Sequence, residues 1–166
     1  RNGTGEIAFR NLNITDNPID ADAAGNLLLE GTAGNDFLYG TEGDDILLGG
    51  TGNDILTGSE RDDLFVWKKE DADGGTDNLT DFAFDLSVST EENDVLNLSD
   101  LLSDGDNQLI ATVEAGNMQL TIADAKNASD VKQSIALDNV SVTDDLAASE
   151  LLEQLLTNGN IYDGHA

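Results

Sequence analysis

The stretch from Gly31 to Val66 reads GTAGNDFLY, GTEGDDILL, GGTGNDILT, GSERDDLFV: four nine-residue units in unbroken register. Position 1 is Gly31, Gly40, Gly49 and Gly58; position 4 is Gly34, Gly43 and Gly52, then Arg61. Position 6 is Asp36, Asp45, Asp54 and Asp63, and position 8 is Leu38, Leu47, Leu56 and Phe65. Self-similarity at a short fixed period is the signature of a solenoid, in which each unit buries its apolar side only against its neighbours. Every unit divides into a Gly/Asp-rich turn and three apolar residues, the length of a very short strand. If two units complete one coil, turns on the same side lie two units apart. The Asp36 turn then stacks on the Asp54 turn and the Asp45 turn on the Asp63 turn, with the position-8 side chains pointing inward as the core. Just upstream, DAAGNLLLE (22–30) keeps Gly25 and Leu29 but has Leu27 in place of the aspartate, which predicts a metal-poor capping turn.

Charge sharpens this reading. The 166 residues carry 34 Asp+Glu against 7 Lys+Arg, a formal net charge of −27, with aromatics at 5% and no Cys. Such a field repels phosphate backbones and anionic lipid heads, so nucleic-acid and membrane-surface partners are excluded. Without cysteine there is no disulfide framework and no thiolate metal site. Stacked carboxylates in partly desolvated turns repel one another strongly unless cations lie between them. A cage of carboxylate and carbonyl oxygens suits a hard cation, and its flexible geometry favours Ca²⁺ over Mg²⁺. The glycines at positions 1 and 4 permit the close backbone approach that such a cage requires.

These residues resemble the RTX family, whose glycine-rich nonapeptide forms a calcium-binding parallel β-roll; GGTGNDILT is the nearest unit to that pattern. The resemblance implies several Ca²⁺ ions held by Asp36, Asp45, Asp54 and Asp63. Carbonyls of Gly31, Ala33, Gly40, Glu42, Gly49 and Thr51 would complete the cages, with Gly34, Gly43 and Gly52 in the same loops. Arg61 departs from the pattern and leaves the last loop open to question. Farther on, the Asp77–Asp81 pair with Leu79 and Phe82 is similar to the element that closes such rolls and contributes carboxylates to a last ion. An EF-hand counted from Asp71 fails, because its twelfth position is Phe82 rather than Glu.

The expected fold is mainly β: a parallel β-roll over 22–82, packed on a small antiparallel β lobe with one C-terminal α-helix over 83–166. In the lobe, the short runs VLNL, LIATV, MQLTI and SIALDNVSV predict strands, with a hairpin turn at Ala115, Gly116 and Asn117. Residues 1–21 include an alternating stretch from Glu6 to Thr15, expected to pair with that lobe. In DDLAASELLEQLLTNG, Leu151, Leu152, Leu155 and Leu156 share one helical face, Asp144 and Asp145 suit the N-terminus, and Gly159 offers a stop.

The only histidine is His165, near the end of the chain, and no nucleophile–base set or phosphate loop is evident, so the chain reads as non-enzymatic. NDVLNLSDLL, SIALDNVSV, the Leu-rich helix and the NGN tail look like the end of very large bacterial RTX adhesins, so the chain reads as a piece of a longer protein. The resemblance implies a monomeric, secreted module on the bacterial cell surface, serving adhesion and biofilm formation. It would engage the type 1 secretion machinery through its C-terminus. The equivalent tail of an RTX hydrolase or toxin is the alternative. On either reading the chain stays unfolded in calcium-poor cytosol and folds outside. An ion at ten times its dissociation constant stabilises by about 1.4 kcal/mol. Four such sites would supply about 6 kcal/mol, comparable to the stability of a whole domain.

Overall fold

A computed structural model describes residues 25–85, 93–103 and 105–164. The stretch Glu6–Thr15 and His165 lie outside the described residues. Each repeat contributes one three-residue strand: β1 (Leu28–Glu30), β2 (Phe37–Tyr39), β3 (Ile46–Leu48), β4 (Ile55–Thr57) and β5 (Leu64–Val66). Then follow β6 (Thr76–Leu79), β7 (Val95–Asn97), the short helix α1 (Ser99–Leu102) and the long strands β8 (Asn107–Glu114), β9 (Asn117–Asp124) and β10 (Asn127–Ser141). Helix α2 (Asp145–Asn158) and β11 (Ile161–Tyr162) end the chain.

Consecutive repeats alternate between two sheets. One has the order β1-β3-β5-β7-β11 and the other β2-β4-β6-β10-β9-β8. Odd and even units therefore occupy opposite walls, and two units make one coil. Because strand side chains alternate, position 8 of every unit faces the space between the walls. Register lines up Leu29, Leu47, Phe65, Leu96 and Ile161 on one wall. Leu38, Leu56, Leu79 and Leu137 line up on the other. None of these nine side chains is more than 2% exposed, so they form the spine of the core.

The roll and the β lobe are not separate layers. Strand β10 pairs parallel with β6 and antiparallel with β9, so the lobe extends a wall of the roll. Strand β7, expected among the antiparallel runs, lies parallel beside β5 instead. The physical reason is that Asp94-Val95-Leu96 reproduces positions 6 to 8 of a repeat, and the open edge of β5 accepts it in that register. Both sheets continue past residue 82.

The β8–β9 hairpin turns at Ala115 and Gly116, both at positive φ (52° and 88°), as a tight two-residue turn requires. Helix α2 begins where the Asp144 side chain accepts the Ala147 N–H at 2.9 Å and ends at Gly159, φ 83°. It buries Ala148, Leu152 and Leu155, with Leu151 and Leu156 half-buried against the same core. Asp145 also accepts the N–H of Val113 on the edge strand β8, at 2.8 Å.

Candidate metal centre

The position-6 aspartates end the turns and start the strands, so the sheet register that aligns the leucines also aligns the carboxylates. Asp36, Asp45, Asp54 and Asp63 are each at most 2% exposed. The carboxylates of Asp45, Asp54 and Asp63 each receive a backbone N–H from the preceding coil. Asp36 N–H donates to Asp54 Oδ1 at 2.9 Å, and Asp45 N–H to Asp63 Oδ1 at 2.8 Å. The ladder continues past the repeats: Asp54 N–H donates to Asp77 Oδ1 and Asp63 N–H to Asp94 Oδ1, both at 2.9 Å. Asp94 escaped the sequence reading because the long insertion after Val66 hides the period. Its signal was present in Asn93-Asp94-Val95-Leu96, which echoes Asn53-Asp54-Ile55-Leu56.

The second oxygen of each carboxylate separates two kinds of turn. In the first two, Thr32 donates both N–H and Oγ1 to Asp36 Oδ2, and Thr41 does the same for Asp45 Oδ2. In the next two, position 2 is Gly50 and Ser59, at φ 90° and 86°. Ser59 N–H goes instead to Asp81 Oδ2 at 2.8 Å and Gly58 N–H to Asp81 Oδ1 at 3.0 Å. Asp54 Oδ2 and Asp63 Oδ2 are left buried with no hydrogen-bond partner, as is Asp36 Oδ1 at the upper end of its ladder. A buried carboxylate oxygen in that condition is costly and calls for a cation or a proton.

Electrostatics say the same. Burial pushes Asp54 up to about 7, with repulsion from Asp77, Asp36 and Asp73 added against the relief of the Asp36 N–H. Asp63 is likewise raised by burial to about 7, with Asp94, Asp45 and Asp81 repelling it. Asp77, also raised by burial, reaches about 6; there Trp67 Nε1 at 2.7 Å and Gln133 Nε2 at 2.9 Å both donate to Oδ2. Asp77 is therefore a terminal rung served by neutral donors, and Asp81 caps the backbone of the Asp63 turn.

The turns are packed at backbone distance. A Cβ on Gly31 would lie 2.0 Å from the Gly49 carbonyl oxygen, and one on Gly40 would lie 2.1 Å from that of Gly58. Gly34 N–H donates to the Thr51 carbonyl at 2.8 Å, and Ala33 bridges Thr51 in parallel register. Gly52 stacks on Gly34, Gly43 packs on Gly25 and Asn26, and Glu42 stands exposed at its turn. Among the described residues no three acidic or histidine side chains converge, so a cage here has to draw on backbone carbonyls. Oxygen-only donors, three orphaned carboxylate oxygens and glycine-lined stacking fit a hard divalent cation.

Residues 28–65 match the RTX calcium-binding nonapeptide repeat, in four copies. The roll is built on RTX-type nonapeptide repeats. The family match ends at residue 65, short of Asp77, Asp81 and Asp94. No curated protein matches the chain. Among solved structures, the chain is similar to the AlgE6R3 subunit of the Azotobacter vinelandii mannuronan C5-epimerase. The two share 28% identity and a TM-score of 0.53, over 86% of this chain and 76% of that one. The repeats are of a calcium-binding type, and the structural likeness covers more of the chain than the repeats do.

Proposed function

We propose that this chain is a calcium-gated folding module of a secreted bacterial RTX adhesin, unfolded in calcium-poor cytosol and folded outside after type 1 secretion. The observation that carries the reading is the pair of buried, unpartnered oxygens Asp54 Oδ2 and Asp63 Oδ2 within the stacked ladders. Asp36, Asp45, Asp54 and Asp63 would hold the ions with carbonyls of Gly31, Ala33, Gly40, Glu42, Gly49 and Thr51. The position-4 glycines Gly34, Gly43 and Gly52 would give the loops their close approach. Bound calcium supplies positive charge to groups that otherwise repel across coils. The formal charge of −27 makes the same argument for the chain as a whole: self-repulsion opposes compaction until cations enter. Among the described residues no helix is long and apolar enough to cross a membrane. The Leu-rich helix α2 and the tail after it would be read by the secretion machinery while unfolded, and the folded module would stand at the cell surface as a monomer in adhesion and biofilm formation.

Trp67 is the only tryptophan, 4% exposed and bonded to Asp77, so its emission reports closure of the roll. Calcium titration of chelated protein should shift Trp67 emission to the blue and raise the β signal in circular dichroism, with several ions taken up. A full β signal in chelator with no calcium uptake would refute the gating.

A second reading, the same module attached to a secreted enzyme, is supported by the likeness to an epimerase subunit. The gene sequence upstream of Arg1 distinguishes the two: repetitive adhesion domains support the first and a catalytic domain the second.

A further inference from the structure

Asp94 lies 31 residues beyond Asp63, outside the nonapeptide pattern, yet takes the Asp63 N–H on Oδ1 just as Asp63 takes that of Asp45. It is 2% exposed, and its Oδ2 accepts the Ala83 N–H at 2.7 Å. The oxygen left over at this level is Asp63 Oδ2, fully buried without a donor. Asp94, Asp45 and Asp81 are the carboxylates whose charge bears on Asp63. The Asp94 rung also holds the end of the chain. Its carbonyl accepts Asn160 Nδ2 at 3.1 Å, and Asn160 is 3% exposed. Leu96 N–H donates to the Asn160 carbonyl at 2.8 Å and Leu98 N–H to that of Tyr162 at 2.9 Å, which seats Ile161 on Leu96.

We propose that Asp94 completes a cation site centred on Asp63, and that occupancy of this site fastens the C-terminal strand β11 to the roll. The inference rests on the calcium reading above. A divalent cation beside Asp63 and Asp94 offsets the repulsion of the two carboxylates and lets the Asp94 rung close. That rung presents the Leu96 and Leu98 amides to β11. Coupling of this kind is reciprocal: whatever factor the docked tail adds to calcium affinity, calcium adds to docking. The C-terminal segment is thereby withdrawn into the sheet only when calcium is bound.

The test compares wild type, Asp94→Asn and Asn160→Ala, with calcium alone as the probe, by titration calorimetry and amide hydrogen exchange. In saturating calcium, Asp94→Asn should bind one ion fewer. Its Leu96 and Leu98 amides should exchange freely while those of Gly31 and Gly40 stay protected. Asn160→Ala changes no acidic residue and should weaken the same ion about tenfold. Wild-type uptake with both variants superimposable on it, in titration and in exchange, overturns the proposal alone. No uptake by the wild type overturns the calcium reading with it. If Asp94→Asn does not fold, Asn160→Ala decides by itself.

Discussion

The backbone N–H of Asp36 donates to Oδ1 of Asp54, 18 residues away, at 2.9 Å. Adjacent coils are therefore joined through the same carboxylates that repel one another across them. The hydrogen bond sets the register and the charge opposes closure, which makes the ladder a stack whose stability depends on what neutralises it.

Replacing Asp54 with Asn keeps an oxygen for the Asp36 N–H and removes the charge. In saturating calcium this variant should melt below wild type, by about 1.4 kcal/mol for one site at ten times its dissociation constant. In chelator, where wild type is unfolded, the variant should keep more β signal than wild type, because the substitution removes repulsion. Glu150→Gln, on the exposed face of α2, should move the melt in calcium by no more than about 0.5 kcal/mol. Thermal denaturation in calcium and circular dichroism in chelator check the inversion.

The raised carboxyls of Asp54 and Asp63, at about 7, set a pH dependence of defined sign. Their folded values lie above the ordinary 3.8, so without calcium the folded chain holds protons that the unfolded chain has released. Protonation should therefore substitute in part for calcium, and the folded fraction in chelator should fall as pH rises from about 4 to about 7. Calcium competes with those protons, so its affinity should drop as pH falls below about 7. Circular dichroism in chelator and calcium titrations across this range would measure both slopes, and affinity flat from pH 7 to 5 would contradict the assignment.

Gly40→Ala would drive a Cβ to 2.1 Å from the Gly58 carbonyl oxygen and to 2.6 Å from Asp45 Oδ2. The coils would have to separate, at a cost of about 2–3 kcal/mol and with weaker calcium binding. Gly116→Ala, where a Cβ meets nothing within 4 Å, should cost only the strain of positive φ, about 1 kcal/mol, and leave calcium binding unchanged. Chemical denaturation of the two variants side by side provides the comparison.

Arg61 occupies position 4 of the last repeat at φ 76°, a left-handed conformation that Gly34 and Gly52 provide in earlier units. The turn persists in spite of the missing glycine, with local backbone strain. Arg61→Gly should stabilise the calcium-bound protein by about 0.5–1 kcal/mol, the relief of strain partly offset by a more flexible unfolded chain. A melting temperature below wild type would contradict the strain.

What a nine-residue period encodes is local and repeated, and it was legible in full. The two-unit coil, the stacking of Asp36 on Asp54 and Asp45 on Asp63, and the inward Leu38, Leu47, Leu56 and Phe65 all follow from spacing alone. Helix α2 was equally readable, because its caps and apolar face lie within one short segment. The sequence did not reveal which distant segments would occupy the open edges of the roll. Asp94 joins the ladder across a break in the period, β10 extends one wall beside β6, and β11 extends the other beside β7. Nor did spacing distinguish turns whose threonines serve the carboxylate from those, at Gly50 and Ser59, that leave an oxygen bare. Repeats carry their own register because each unit meets a copy of itself. An edge strand or a buried oxygen has no such copy, and its partner is settled only when the whole chain has packed.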